Sequence, residues 1–249
     1  MTHKRITSIK SSLEFAMDSN RELSELISEA QKLDGTVRHI GHKAGSILLA
    51  TRKCFDYCAA DLRDDFLGDG DKPVYYPFHP DSLGKGKPFY ILRTTATPIY
   101  DCLLAISQKI QSRAIIANSM CLYSDVKAVN ELVNKDKHED VHEICELGRS
   151  KSRIEFPNGS VVTATPMYPI GPDGIPDFSQ RGEVGPEAWI SAPGVKVTAV
   201  KDFLFSEDAG MSRRDVHGFC MTAITATRFI LGEVYAATYG VPENVVLEN

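Results

Sequence analysis

GHKAGSILLATRKCFDYCAADLRD, residues 41–64, is the stretch whose reading decides the fold. Ile47, Leu48, Thr51, Cys54, Phe55, Cys58 and Leu62 recur at three- and four-residue steps, which gathers them on one face of a 3.6-residue period. The spacing predicts one long helix with a buried stripe. Arg52 and Asp56 stand four residues apart, so their side chains meet on the flank of that stripe, half inside and half outside any bundle built on it. The pair is the first candidate for a working site.

Upstream, Leu13, Ala16, Leu23, Leu26, Ile27, Ala30 and Leu33 keep helical spacing and Asp34-Gly35 supplies a stop, which predicts a first helix over residues 8–33. Joined by a short turn, the two helices pack antiparallel. Downstream, Gly68, Gly70, Pro73, Pro77, Pro80, Gly84, Gly86 and Pro88 punctuate a connection with apolar runs at residues 74–78 and 89–92. It reads as extended, with room for short strands. Thr97-Pro98 reads as a cap followed by proline in the first turn of a helix over residues 99–110. Ser124-Asp125 caps another, in which Val126, Val129, Leu132 and Val133 face the core. After the polar residues 134–138 the pattern resumes at Val141, Ile144, Cys145 and Leu147, and Gly148 closes it. Asn134, His138 and Val141 share a stripe beside the core line, and this polar edge is expected to meet the Arg52/Asp56 flank.

From Arg149 the period changes to 2. Residues 153–165 read as a hairpin whose Asn158-Gly159 suits a type I′ turn. Residues 166–194 hold six prolines and five glycines, too many for regular structure, with the lone Trp189 near the end. A loop of that length is functional, an interface arm, or mobile. Alternation predicts a third strand over residues 195–205. Ser212-x-x-Asp215 reads as a capping box opening a final helix that is apolar on several sides (Val216, Phe219, Ile224, Phe229, Ile230, Val234) and ends at Gly240 with Pro242 beyond. A break near Thr225 or Gly232 is the alternative. The expected fold is α+β: a mainly α-helical bundle over residues 1–148, then a small antiparallel β element, a long Pro/Gly-rich loop and a C-terminal helix packed on the bundle over residues 149–249.

The 249 residues carry 43% hydrophobic side chains, ordinary for a soluble globular chain. A formal charge of -5 and a pI near 5.8 argue against duplex DNA as a partner, since phosphate neutralisation supplies most non-specific affinity. The first residues lead into an amphipathic segment instead of a secretory apolar run, and no apolar stretch reaches the roughly 18 residues of a membrane span. The expectation is a cytoplasmic protein with no membrane partner, its six cysteines reduced and buried.

Residues 45–57 followed by Tyr75-Tyr76-Pro77-Phe78 resemble an uncharacterised family of bacterial proteins, whose helix ends in a pattern like G-D-x-L-H-x-L-R-x-x-L-D-H with an F-P-I-type strand after it. NKDKH at residues 134–138 is similar to the N-x-D-K-H stretch that follows in that family. The resemblance covers about residues 40–145. It places the family arginine and aspartate on Arg52 and Asp56, and its asparagine, lysine and histidine on Asn134, Lys137 and His138. An arginine followed four residues later by histidine also resembles the R-x4-6-H motif of HEPN-type helical proteins, many of them metal-independent ribonucleases. Here Tyr57 stands where that histidine would be.

The resemblance implies a site of Arg52, Asp56, Tyr57, Lys137 and His138 acting on RNA, in a homodimer of the cell-defence kind. Arg52 would hold the crowded phosphorane as a planar, permanent cation, and His138 would move the proton near neutral pH. Asp56 would orient the histidine or Lys137, and Tyr57 would donate to a phosphate oxygen. No cofactor is expected. His138-Glu139-Asp140-Val141-His142 is formally the H-E-x-x-H of a zinc peptidase, but Lys135, Asp136, Lys137, Asp140 and Glu143 surround it where a zincin helix is apolar, and no third ligand is evident. His39-x-x-His42 with Cys54-x-x-x-Cys58 does not match a standard zinc spacing. Arg93-Thr94-Thr95-Ala96-Thr97 before a helix is either an anion site or plain capping. Two functions stay open: a HEPN-like endoribonuclease, and a non-catalytic binding or self-assembly protein in which the same residues are structural and the 166–194 loop makes the interface.

Overall fold

Two long antiparallel helices carry the N-terminal part of the chain: α1, Ile6–Lys32, and α2, Val37–Leu62. The computed structural model describes residues 5–32, 37–68, 73–136, 144–164, 194–205 and 214–240. Leu13, Ala16 and Leu23 of α1 and Ile47, Leu48, Thr51, Cys54, Phe55, Cys58 and Leu62 of α2 are buried, as the helical stripes predict; Ile9, Ile40 and Ala44 join them, whereas Leu26, Ile27 and Ala30 are only partly buried. After Leu62 the chain widens into one π-helical turn, Arg63–Leu67, which Gly68 closes with a left-handed φ of 68° that favours glycine.

Residues 73–78 are extended without forming a strand, and aromatic packing holds them on α2. The rings of Phe55, Tyr76 and Phe78 lie 4.8–5.1 Å apart in edge-on and tilted contacts. The second apolar run departs from the extended reading. Pro88–Ile91 is a 3-10 turn leading straight into the short α3, Leu92–Thr95, because Pro88 presets the first helical φ. The next helix, α4, is Thr97–Gln111 with Pro98 in its first turn, but Thr97 is not its cap: its hydroxyl donates to Arg93 O at 3.0 Å. Helix α5 follows at Ser124–Asp136, and Asp125 turns back to accept from Leu122 N–H at 2.9 Å.

The expected resumption of helix through residues 141–148 is corrected for its described part. Strand β1, Ile144–Glu155, begins ahead of Arg149. Its apolar spacing fits both periods, and pairing with a distant strand decides between them. The strand β1 lies between β2, Val161–Ala164, and β3, Lys196–Phe205, antiparallel to both, with Glu155 opposite Val161 and Ile144 opposite Phe205. The type I′ turn is also corrected. Gly159 N–H donates to Phe156 O at 2.9 Å with Pro157 and Asn158 between, and among these only Gly159 has a positive φ, 83°. That is a type I turn followed by a left-handed glycine: flanking a two-residue Asn158-Gly159 turn, Pro157 would have no N–H to close it, whereas its fixed φ suits the first central position of a type I turn.

The last helix, α6, runs unbroken from Val216 to Tyr239, through both Thr225 and Gly232, and ends on Gly240 at φ 65°. Its cap is Asp215, whose carboxylate accepts from Gly218 N–H at 2.5 Å; Ser212 lies outside the described residues. Buried residues from Val216 to Tyr235 occupy several sides of α6, because it packs on α1, α2, α4 and α5 at once. The Phe205 ring meets Phe219 edge-on at 5.7 Å and seats the end of the sheet on the start of α6. At the far end of α2 the buried Asp61 accepts from Arg5 at 2.8 Å and from the Tyr235 hydroxyl at 2.7 Å, which ties α1, α2 and α6 together. The protein is mainly α-helical, and among the described residues no helix is long and apolar enough to cross a membrane.

Candidate functional site

The Arg52–Asp56 pair forms as the four-residue spacing requires: Arg52 Nη1 donates to Asp56 Oδ1. The pair is asymmetric. The Arg52 side chain is 7% exposed and that of Asp56 is 44% exposed. The guanidinium therefore faces inward, and its other contacts come from two distant elements. Its Nε donates to Asn130 Oδ1 on α5 at 2.5 Å, and its plane lies 5.7 Å from the centre of the Phe78 ring. The extended segment 73–78 and helix α5 thus converge on one cation of α2.

Helix α5 meets the flank of α2 through Asn130, one helical turn before Asn134 of the expected stripe, whose His138 and Val141 lie outside the described residues. Asn134 is exposed. Asn130 and Phe78 are the members that sequence reasoning missed. For Asn130 a signal was present, since it shares a helical stripe with Asn134; for Phe78 the only cue was the aromatic run itself.

Tyr57 is not brought to the pair. One residue along a helix is about 100° of rotation, and Tyr57 instead lines an open groove on the outer side of α1 and α2 with Ser8, Ser11, Phe15, Leu49 and Lys53. Lys137, His138 and His142 lie outside the described residues, as do Trp189 and residues 165–193. Among the described residues no cluster of His, Cys, Asp and Glu could hold a metal ion.

Cys54 and Cys58 are core residues whose thiols burial pushes up, Cys54 to about 12, whereas His39 and His42 line a second open groove with Glu22, Glu25 and Glu29. The two halves of that sequence pattern do not meet. The hydroxyls of Thr94 and Thr95 both donate to Ile91 O at 3.1 Å, so they serve the preceding turn.

Chemically, the described core of the site can fix three elements through one guanidinium. It leaves one carboxylate, Asp56, open at the surface. No protein-family model, curated protein or solved structure matches the chain.

Proposed function

We propose that this chain is a non-catalytic binding and self-assembly protein, in which Arg52 is an internal clamp. The observation that carries this reading is the enclosure of Arg52: 5% exposed, neutralised by Asp56, bound to Asn130 and stacked near Phe78. A cation that stabilises a phosphorane has to present uncompensated N–H groups to a phosphate entering from solvent. A guanidinium committed to an aspartate and an asparagine beneath a ring is instead a means of joining secondary elements. Removing it from that role would leave Asn130 and Asp56 without their donor.

One observation favours a second reading, the HEPN-like metal-independent ribonuclease. The Arg52–Asn130 contact sets the polar edge of α5 beside the half-exposed Asp56, and Asn134, Lys137 and His138 continue that edge in sequence. An RNA-cleavage assay without divalent metal separates the two. The assembly reading expects no cleavage above that of a His138→Ala variant. Cleavage by the parent that His138→Ala abolishes, and that Arg52→Lys lowers without loss of fold, would replace it with the nuclease reading.

A further inference from the structure

We infer that Arg228 on α6 is the receiving group of a binding site for a small monoanionic carboxylate with an apolar body. The site shares no residue with the Arg52 clamp, so the two stand or fall separately.

The observation behind it is a cation without a counter-charge. Among the described residues, Arg5, Arg52, Arg63 and Arg214 are the other arginines that are buried or half-buried, and each lies on an aspartate: Asp61 and Asp64 for Arg5, then Asp56, Asp64 and Asp125 in turn. Arg228 is half-buried as well. Its Nε is enclosed with no acceptor, and among the described residues no hydrogen bond or ion pair reaches its guanidinium. Taking a cation partly out of water without a partner costs stability, which is why such charges are normally paired. The chain carries 33 acidic residues against 28 basic ones, so the exception does not come from a shortage of carboxylates.

Helix α6 itself offers Arg228 nothing. The positions three and four residues to either side are Ile224, Thr225, Leu231 and Gly232, and Glu233 is committed to Lys109 and Tyr123 on the side of α4.

The way the guanidinium is held defines what it accepts. Enclosure of Nε closes the side edge of the fork, the one formed by Nε and one Nη. The two Nη groups are not enclosed, and their parallel N–H bonds match the two oxygens of one carboxylate end-on. Helical side chains lean toward the N-terminus, so Arg228 lies back over the turn of Thr225 towards Met221, two turns earlier on the same stripe. Met221 is 36% exposed, with its Cα about 10 Å from that of Arg228. The Thr225 hydroxyl between them donates to Met221 O at 3.0 Å and adds no donor. One cation beside an open thioether side chain suits a single negative charge attached to an apolar group. A phosphate dianion would keep one charge uncompensated, in a chain whose net charge is already -5.

Thermal melts of the full chain in sodium benzoate, sodium phosphate and sodium chloride at equal ionic strength test this. One bidentate pair and one apolar contact give binding of about millimolar strength. Benzoate should therefore raise the melting temperature of the parent saturably, by about 3–6 °C at tenfold its half-saturating concentration. Arg228→Met removes the uncompensated charge and keeps a good helix former, so in chloride it should melt above the parent, and the benzoate shift should vanish. Arg228→Lys keeps the charge without the planar fork and should retain only a small part of the shift.

A benzoate shift equal in the parent and in Arg228→Met would place the binding elsewhere and overturn the inference. Phosphate that shifts the parent as much as benzoate would overturn the ligand class. No benzoate shift of the parent up to about 50 mM would overturn the site outright. Should Arg228→Met fail to fold, Arg228→Lys decides alone, and an undiminished shift in it overturns the inference.

Discussion

The Nε–H of Arg52 donates to Oδ1 of Asn130 at 2.5 Å and so joins helices whose contacting residues are 78 positions apart in the chain. Asn130→Ala leaves a buried guanidinium N–H without its acceptor. The expected loss is about 1–3 kcal/mol. For a chain of this size that lowers the melting temperature by about 2–4 °C for each kcal/mol. Asn130→Asp keeps an oxygen acceptor and should lose less. Thermal melts of the two variants decide it, and an alanine variant that melts with the parent would contradict the clamp.

Asp64 makes stability depend on acid. The guanidinium of Arg63, 2.7 Å from its Oδ1, and then that of Arg5 hold its carboxyl below the ordinary 3.8. A carboxyl with a lower pKa in the folded chain stabilises the fold at every pH above its unfolded value. That contribution is lost as pH falls through the folded value. The difference in unfolding free energy between parent and Asp64→Asn should therefore be flat at neutral and mildly acidic pH and shrink below about pH 4. Urea melts across that range measure it, and a difference that persists undiminished in acid would exclude Asp64 as the source.

What the sequence alone could tell divides along the range of the interactions. The stripes of α1 and α2 were legible because each helix has one buried face, and periodicity reports a face. The continuity of α6 was not, because a helix enclosed by α1, α2, α4 and α5 is apolar on several sides and carries no stripe; Thr225 and Gly232 look like breaks in one dimension. The start of β1 at Ile144 depends on Phe205, sixty-one positions later, and no local window contains that pairing. At the site the same rule holds. The Arg52–Asp56 pair follows from a four-residue step, whereas Phe78 and Asn130 reach Arg52 only through tertiary packing. Helical geometry by itself argued against grouping Tyr57 with Asp56, since adjacent helix residues face different ways.

The thiols should report the core directly. Cys54, Cys58 and Cys220 are fully enclosed, and burial first of all keeps each protonated well above neutral pH. Cys102 is only partly buried. Because the thiolate is the reactive form, brief alkylation at pH 8 should label Cys102 and spare the other three until denaturant is added. Peptide mass mapping reads the order. Rapid labelling of Cys54 in the native chain would mean that α1 and α2 separate far more readily than their packing allows.

Gly218 should answer to substitution against the usual rule. Replacing glycine by alanine within a helix commonly adds about 0.5–1 kcal/mol of stability. Here a Cβ on residue 218 would stand 2.8 Å from Oδ1 of Asp215, the atom that caps α6 by accepting from Gly218 N–H. The carboxylate has to swing away, and loss of an N-cap typically costs about 1 kcal/mol. The two effects oppose each other, so Gly218→Ala should be neutral or destabilising. More decisively, the effects should not add. Asp215→Ala should cost about 1 kcal/mol in the parent and much less in the Gly218→Ala background, where the cap is already displaced. A double-mutant cycle by chemical denaturation gives the coupling, and two changes that simply sum would show that Asp215 does not hold the start of α6.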